Sequence, residues 1–302
     1  IAFPVLLGDP KLIAQRKAEL NLDFSAEVID PWAEVLTTRG EKYVRALVTK
    51  RARKGVTSQE AKELLRNRNY FGAMMVEMGE ADGFISGVAF HYQDALRPAL
   101  QIIGTRPDCH KVTGCYMLSF EDRVLFLADA TVNIDPNEDD LAEIALAGAR
   151  IARKFEVEPR VAMLSFSNFG SSPHPAARKV ARAAQLVKER DPNLMVDGEM
   201  QADTAIVPEI LQTTYPFSSL KESANVLVFP SLESANTAYK LLQRLANATT
   251  VGPILEGMNK PVHICQRGDE VEDIVNMAAI CVVDAQVSTT RGPAVTSRLA
   301  AA

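Results

Sequence analysis

Short apolar runs alternate with stretches whose apolar residues recur every three or four positions. That order predicts strands alternating with helices. A first strand is predicted at residues 5–7, closed by Gly8-Asp9-Pro10, with a helix from about Pro10. A second helix is predicted over 39–53, and Gly55 stands where a helix C-terminus favours a left-handed residue. Thr57 and Glu60 form a capping-box pattern opening a helix to about Asn67, and 70–78 reads as another. Residues 81–87 read as a short strand emptying into a loop. The next helix starts near Gln93 and runs through Leu96-Arg97-Pro98-Ala99-Leu100. Proline is tolerated in the first turn of a helix, so Pro98 blurs where this one begins.

Residues 115–120 and 124–127 predict a hairpin across Glu121-Asp122-Arg123. A long Ala-rich helix (137–156), a buried strand (161–166), a polar loop and a helix to about Arg190 follow. Further strands are predicted at 194–196, 226–229 and 262–265, with a helix at 236–246. The last helix, 270–285, is expected to open on a capping box of Asp269 and Glu272. The fold class is α/β with a largely parallel sheet. Residues 287–302 carry little pattern and are expected to form a flexible tail.

The composition is that of a soluble globular protein: 302 residues, 47% hydrophobic and 24% charged, enough for one large domain or two of moderate size. The formal net charge of −5 argues against nucleic-acid binding, which leans on a positive surface. No apolar run approaches the roughly 20 residues that span a bilayer, and no signal-peptide order is present. Cys109, Cys115, Cys265 and Cys281 are scattered without a CxxC pair. A disulfide framework and a zinc cluster are therefore not expected, and a cytoplasmic location is. His91, His110, His174 and His263 lack metal-ligand spacing, so no metal is expected.

Several segments could carry chemistry. In Lys50-Arg51-Ala52-Arg53-Lys54 the cations could complement a helix C-terminus or clamp a phosphate. Arg97 lies near a helix start, where anions are attracted, or is a surface ion-pair residue. The loop 165–175 follows a buried strand and opens a helix. Ser165, Ser167, Asn168 and Gly170 could cradle a phosphate or a carbonyl oxygen there, or simply make a turn. His174, between two prolines, reads as a loop residue before a general base. Gly252-Pro253-Ile254-Leu255-Glu256-Gly257 and Gln266-Arg267-Gly268 read as a second pair of loops. With Asp269 and Glu272 assigned to the cap, Asp273 is left as a possible base. No Ser-His-Asp order or nucleophile elbow is present.

Taken together these segments resemble the phosphotransacetylase (phosphate acetyltransferase) family over nearly the whole chain. Lys54-Gly55-Val56-Thr57, Tyr70-Phe71-Gly72-Ala73-Met74-Met75, Ala81-Asp82-Gly83, residues 96–103, Gly252-Pro253-Ile254-Leu255 and Arg267-Gly268 carry the resemblance. It implies two α/β subdomains with a cleft between them, in an isocitrate/isopropylmalate dehydrogenase-like arrangement. The expected boundaries are 1–108 plus 253–286 for the first and 109–252 for the second. It also implies that CoA thiolate attacks the carbonyl of acetyl phosphate, with arginines on the phosphate. Arg51, Arg97 and Arg267 fall on those arginine positions, and Asp273 on an acid that helps deprotonate the thiol.

Two departures accompany the match. The family's serine before the last arginine is Gln266 here, and Phe90-His91-Tyr92 replaces a His-Ser-Thr run. Segments 165–170 and 196–205 further resemble the C-terminal phosphotransacetylase-like domain of hybrid NADP-dependent malic enzymes. The chain also begins at Ile1 rather than Met. The expectation is therefore a regulatory domain binding acetyl-CoA as an allosteric ligand, with vestigial transferase positions Gln266, Arg267 and Asp273. Its ligand contacts would be Arg51, Lys54, Arg97, Ser165, Ser167, Asn168, Gly170 and Arg267. NADP and a divalent metal would belong to an N-terminal malic-enzyme domain, and the assembly would be a homodimer or larger. The alternatives are an active phosphate acetyltransferase and a purely structural oligomerisation module.

Overall fold

A computed structural model describes residues 1–290, with side chains to 287. The elements open with β1 (Val5–Leu7), α1 (Pro10–Glu19), β2 (Glu27–Ile29), α2 (Pro31–Glu34), α3 (Thr38–Arg51), α4 (Ser58–Leu65), α5 (Arg68–Glu77), β3 (Phe84–Ser86) and α6 (Tyr92–Ile102). Then come β4 (Thr113–Ser119), β5 (Val124–Ala128), α7 (Glu138–Lys154), β6 (Arg160–Leu164), α8 (Pro175–Arg190) and β7 (Met195–Met200). The chain continues through α9 (Ala202–Ile206), α10 (Pro208–Thr214), β8 (Val226–Val228), α11 (Leu232–Leu245), β9 (Thr249–Glu256), β10 (Val262–Ile264) and α12 (Val271–Thr290). The architecture is mixed α/β. The last helix runs on through 287–290, and the rest of the expected tail lies outside the described residues.

The chain divides into two compact units. One comprises Ile1–Gly104 and the chain from Met258; the other is Thr105–Gly257. The first unit holds two small parallel sheets, β1-β2 and β10-β3. Its core is helical, with Tyr43, Leu47, Leu65, Phe71, Met74, Leu96 and Ile102 fully buried. Local signals explain its helix ends. Thr57 and Glu60 form a complete capping box on α4. After α3 a 3₁₀ turn, Ala52–Lys54, ends at Gly55, whose φ of 81° suits glycine.

Helix α6 departs from the expectation for proline. Pro98 sits well inside the helix, at its seventh residue. It lacks the N–H that would bond the Asp94 carbonyl four residues back. The Asn69 side chain supplies a donor to that carbonyl instead, at 3.4 Å.

The second unit is built on a six-stranded sheet of order β7-β6-β8-β5-β4-β9. Five of its strands run in one direction, and β4 alone is reversed, antiparallel to both β5 and β9. Helices α7 and α8 pack together and against the sheet. A cluster including Tyr116, Leu127, Leu164, Leu211 and Tyr239 forms an apolar core with α10 and α11. Residues 252–256, expected to be a loop, lie within strand β9. The Gly252-Pro253 dipeptide disguised it. A proline without a donor is compatible with a strand at the edge of its sheet, and the register shifts opposite it between Cys115 and Met117. Four short elements (β2, α2, α9 and α10) are too brief for periodicity to reveal.

Candidate functional site

In the first unit, the arginines expected to hold phosphate sit on two helices and one turn, and Arg97, expected near a helix start, lies in the middle of α6. Arg51 is the last residue of α3 and is half-buried. Arg97 is exposed on α6, and Arg267 is exposed in the turn between β10 and α12. Among the described residues, none of the three has a carboxylate within ion-pair distance. The neighbouring Lys50, by contrast, is paired with Glu77. Unpaired guanidinium groups are ready acceptors of an anionic ligand. Lys54 is exposed and likewise has no carboxylate partner among the described residues.

Tyr70 joins two of these arginines electrostatically. Burial pushes its phenol up, while the charges of Arg97 and Arg51 pull it the other way. Its hydroxyl donates to Gln101 Oε1 at 2.7 Å. Asn69, beside it, is 1% exposed and accepts from Ser86 Oγ at 2.6 Å. Neither residue was expected in the site, although Tyr70 opens one of the segments that carry the family resemblance. A tyrosine and an asparagine opening an otherwise apolar helix were the available signal.

The turn after β10 is held by carboxylates. Asp269 Oδ2 accepts the Gln266 N–H at 2.7 Å, and Asp273 Oδ2 accepts the Glu270 N–H at 2.9 Å. The expected roles thus shift: Asp273, not Glu272, reaches back to the residue before α12. Burial raises Asp269, its bond from Gln266 opposes this, and the Asp273 charge adds to the rise. Cys265, alongside, is pushed up to about 12 by burial and then by Asp269 and Asp273, so it stays a thiol at neutral pH. Backbones approach closely here. A Cβ on Gly87, whose φ is 123°, would lie 2.0 Å from the Cys265 carbonyl oxygen. Phe90-His91-Tyr92 leads from this point into α6, with His91 as its exposed N-cap and Phe90 and Tyr92 half-buried.

In the second unit, the loop after β6 spends its donors internally. Ser167 is buried and gives its hydroxyl to Glu199 Oε1 at 2.8 Å, and the Gly170 N–H gives to the same oxygen at 2.7 Å. Asn168 exchanges hydrogen bonds with Gln201, 3.1 Å from its amide and 2.7 Å to its oxygen. Ser165 is half-buried and accepts from the Ser167 N–H at 3.4 Å. His174 is the N-cap of α8, its ring Nδ1 accepting from the Ala176 N–H at 3.2 Å.

Residues 1–282 match the family profile described as phosphate acetyl/butaryl transferase. A phosphate acetyltransferase of Bacillus subtilis is 43% identical over 284 residues, covering 93% of this chain and 86% of its own length. The chain belongs to the phosphate acetyl/butyryl transferase family. Another member, the phosphate acetyltransferase of Clostridium acetobutylicum, is 42% identical over 294 residues, covering 95% and 87% of the two chains. A phosphotransacetylase structure from Streptococcus pyogenes superposes with a TM-score of 0.88 at 37% identity, covering 95% of this chain and 86% of that one. A branched-chain phosphotransacylase from Enterococcus faecalis, at 15% identity and a TM-score of 0.63, shares the fold.

These relatives correct the regulatory reading. They are transferases matched along most of their own length, so the malic-enzyme assignment, its oxidoreductase and NADP character and its fused N-terminal partner are not supported. The segments that suggested that branch have hydrogen-bond partners within the second unit. Residues 165–170 and β7 are bonded to each other through Glu199 and Gln201. Asp197 accepts from Lys188 at 2.8 Å and from Ser218 and Ser219. Those contacts stabilise a sheet end and carry no information about a second enzyme.

Proposed function

We propose that this chain is a phosphate acetyltransferase, moving an acetyl group between acetyl phosphate and CoA. The observation that carries the reading is the likeness, over more than nine-tenths of the chain, to proteins named for that activity. Arg51, Arg97 and Arg267, left without carboxylates, support it. They would bind the phosphoryl oxygens as forked donors. In the forward step the CoA sulfur forms a bond to the acetyl carbon. The bond from that carbon to the phosphate oxygen breaks, and inorganic phosphate leaves. The thiol proton passes to a carboxylate, for which we assign Asp273, oriented by the Glu270 N–H at 2.9 Å.

The same fixed cations hold the phosphoryl group in the bound substrate and stay with it as charge develops on the leaving phosphate. Gln266 stands where the family resemblance puts a serine, and its side-chain amide is the proposed donor to the tetrahedral oxygen. Ser165 and Asn168 remain proposed ligand contacts in the second unit, with Ser167 and Gly170 behind them as the bonds that shape the loop. The test is thioester formation from CoA and acetyl phosphate, followed at enzyme concentrations high enough to detect slow turnover. Formation proportional to enzyme supports the proposal. Its absence, with correctly folded protein, overturns it.

A further inference from the structure

Arg97 is the exposed cation of α6, and two side-chain contacts from one neighbouring helix bracket it. On its N-terminal side, Asn69 Nδ2 reaches the Asp94 carbonyl at 3.4 Å. On its C-terminal side, the Tyr70 hydroxyl donates to Gln101 Oε1 at 2.7 Å. Gln101 lies one turn beyond Arg97, so the two share a face of the helix. Asn69 and Tyr70 are consecutive at the start of α5, which is buried along most of its length.

The first contact has a specific cause. Pro98 removes the helical donor to the Asp94 carbonyl, and Asn69 stands in for it. Asn69 is itself fixed, because Ser86 Oγ donates to its oxygen at 2.6 Å from the end of β3. The Ser86 carbonyl in turn accepts from the Cys265 N–H at 2.7 Å, just before Gln266-Arg267. The chain of bonds therefore runs from the Arg267 turn through β3 and α5 to the Arg97 helix. The charges of both Arg97 and Arg51 act on the Tyr70 phenol.

We propose that Asn69 and Tyr70 are positioning residues that set Arg97 on the phosphoryl group by tying α6 down on either side of it. This rests on the proposed function, since it gives Arg97 a phosphate to bind. An interaction made equally with bound substrate and with the transition state, when weakened, raises KM and leaves kcat nearly unchanged. The experiment measures kcat and KM for acetyl phosphate, and the calorimetric Kd for inorganic phosphate. It uses the wild-type chain, Asn69→Ala, Tyr70→Phe, Pro98→Ala and the Asn69→Ala/Pro98→Ala double variant.

Tyr70→Phe and Asn69→Ala should each raise KM and the phosphate Kd about tenfold, with kcat within about threefold of wild type. Alanine at 98 gives the Asp94 carbonyl its helical N–H back. The double variant should therefore recover to within about threefold of wild type, a rescue that general loosening of the core would not produce. Wild-type KM and Kd in both single variants, or a double variant as weak as Asn69→Ala, overturns the assignment while leaving the transferase reading intact. Should Asn69→Ala not fold, Tyr70→Phe, which keeps the ring, decides on the same two constants. A wild-type chain that neither turns over nor binds phosphate overturns the transferase reading and this inference with it.

Discussion

The edge strand β9 ends in a carboxylate, Glu256, that is 2% exposed and met by three cations. Arg106 Nη1 lies at 2.7 Å, Arg150 Nε at 3.0 Å and Lys154 Nζ at 2.8 Å. Burial alone would raise its pKa, but Lys154, Arg150 and Arg106 outweigh burial and hold it at about 2, against an ordinary value of 4.5. That depression corresponds to about 3 kcal/mol favouring the folded state. The folded pKa is the lower one. This stability is therefore complete above the unfolded value and is lost as pH falls from about 5 towards 2. At pH 3 roughly 1.5 kcal/mol should remain.

The perturbation is Glu256→Gln, which keeps the shape and removes the charge that three cations converge on. Urea unfolding followed by circular dichroism at pH 7, 5, 4 and 3 gives the difference from wild type. We expect the variant to be less stable by about 3 kcal/mol at pH 7. That gap should roughly halve by pH 3, because the unfolded wild-type carboxylate is then protonated and ionising it on folding offsets part of the gain. High salt should change it little, since the pair is shielded from solvent. A gap that stays constant from pH 7 to pH 3, or one under about 1 kcal/mol at pH 7, would refute the reasoning.

Other outcomes follow from the site. Gln266→Ser should raise kcat by about tenfold. That is less than the 10²–10³ that loss of an oxyanion donor costs, because the glutamine amide still donates; saturation kinetics in both substrates read it, and an unchanged kcat counts against the role given to Gln266. Arg267→Ala should lower kcat/KM for acetyl phosphate by about 10² or more, with a thermal midpoint near that of wild type because the side chain is exposed; a large drop in the midpoint would make it a structural residue instead. Gly87→Ala should destabilise by about 2 kcal/mol or more in urea unfolding. It forces a side chain into a left-handed backbone 2.0 Å from the Cys265 carbonyl oxygen. The Cys265 thiol should resist alkylation in the folded protein at pH 7 and react in urea; rapid folded-state labelling would contradict its burial.

Features whose cause is local were legible in the sequence. The capping box of Thr57 and Glu60 and the left-handed Gly55 involve groups within a turn of one another. So did the long helix opened by Asn137, whose side chain caps the Asp140 N–H. Strand β9 was missed because Gly252-Pro253 is a turn signal locally and is permitted in a strand only by the edge position. Pro98 misled in the same way. Its place inside α6 leaves the Asp94 carbonyl to a donor from Asn69, 25 positions before that aspartate. The loop at 165–170 looked like an anion cradle because its residues carry the right donors. The anion its buried donors meet is the protein's own Glu199, 29 and 32 positions away from Gly170 and Ser167.

The same distinction separates charged residues recruited to structure from those without a partner. A charged side chain can be recruited to structure or left for a ligand, and its partner decides which. Sequence gives the charge, and only the fold gives the partner. Asp269 and Asp273 both accept backbone N–H groups that shape the turn carrying Arg267. Lys50 is paired with Glu77, and Glu256 with three cations. Arg51, Arg97 and Arg267 are exceptions to this pairing: three arginines on separate elements, none with a carboxylate among the described residues. An unpaired arginine on a surface is ordinary. Arg45, Arg53 and Arg68 of the same unit also lack a carboxylate among the described residues, so what sets Arg51, Arg97 and Arg267 apart is their surroundings: the first two act on the Tyr70 phenol, and carboxylates hold the turn of the third.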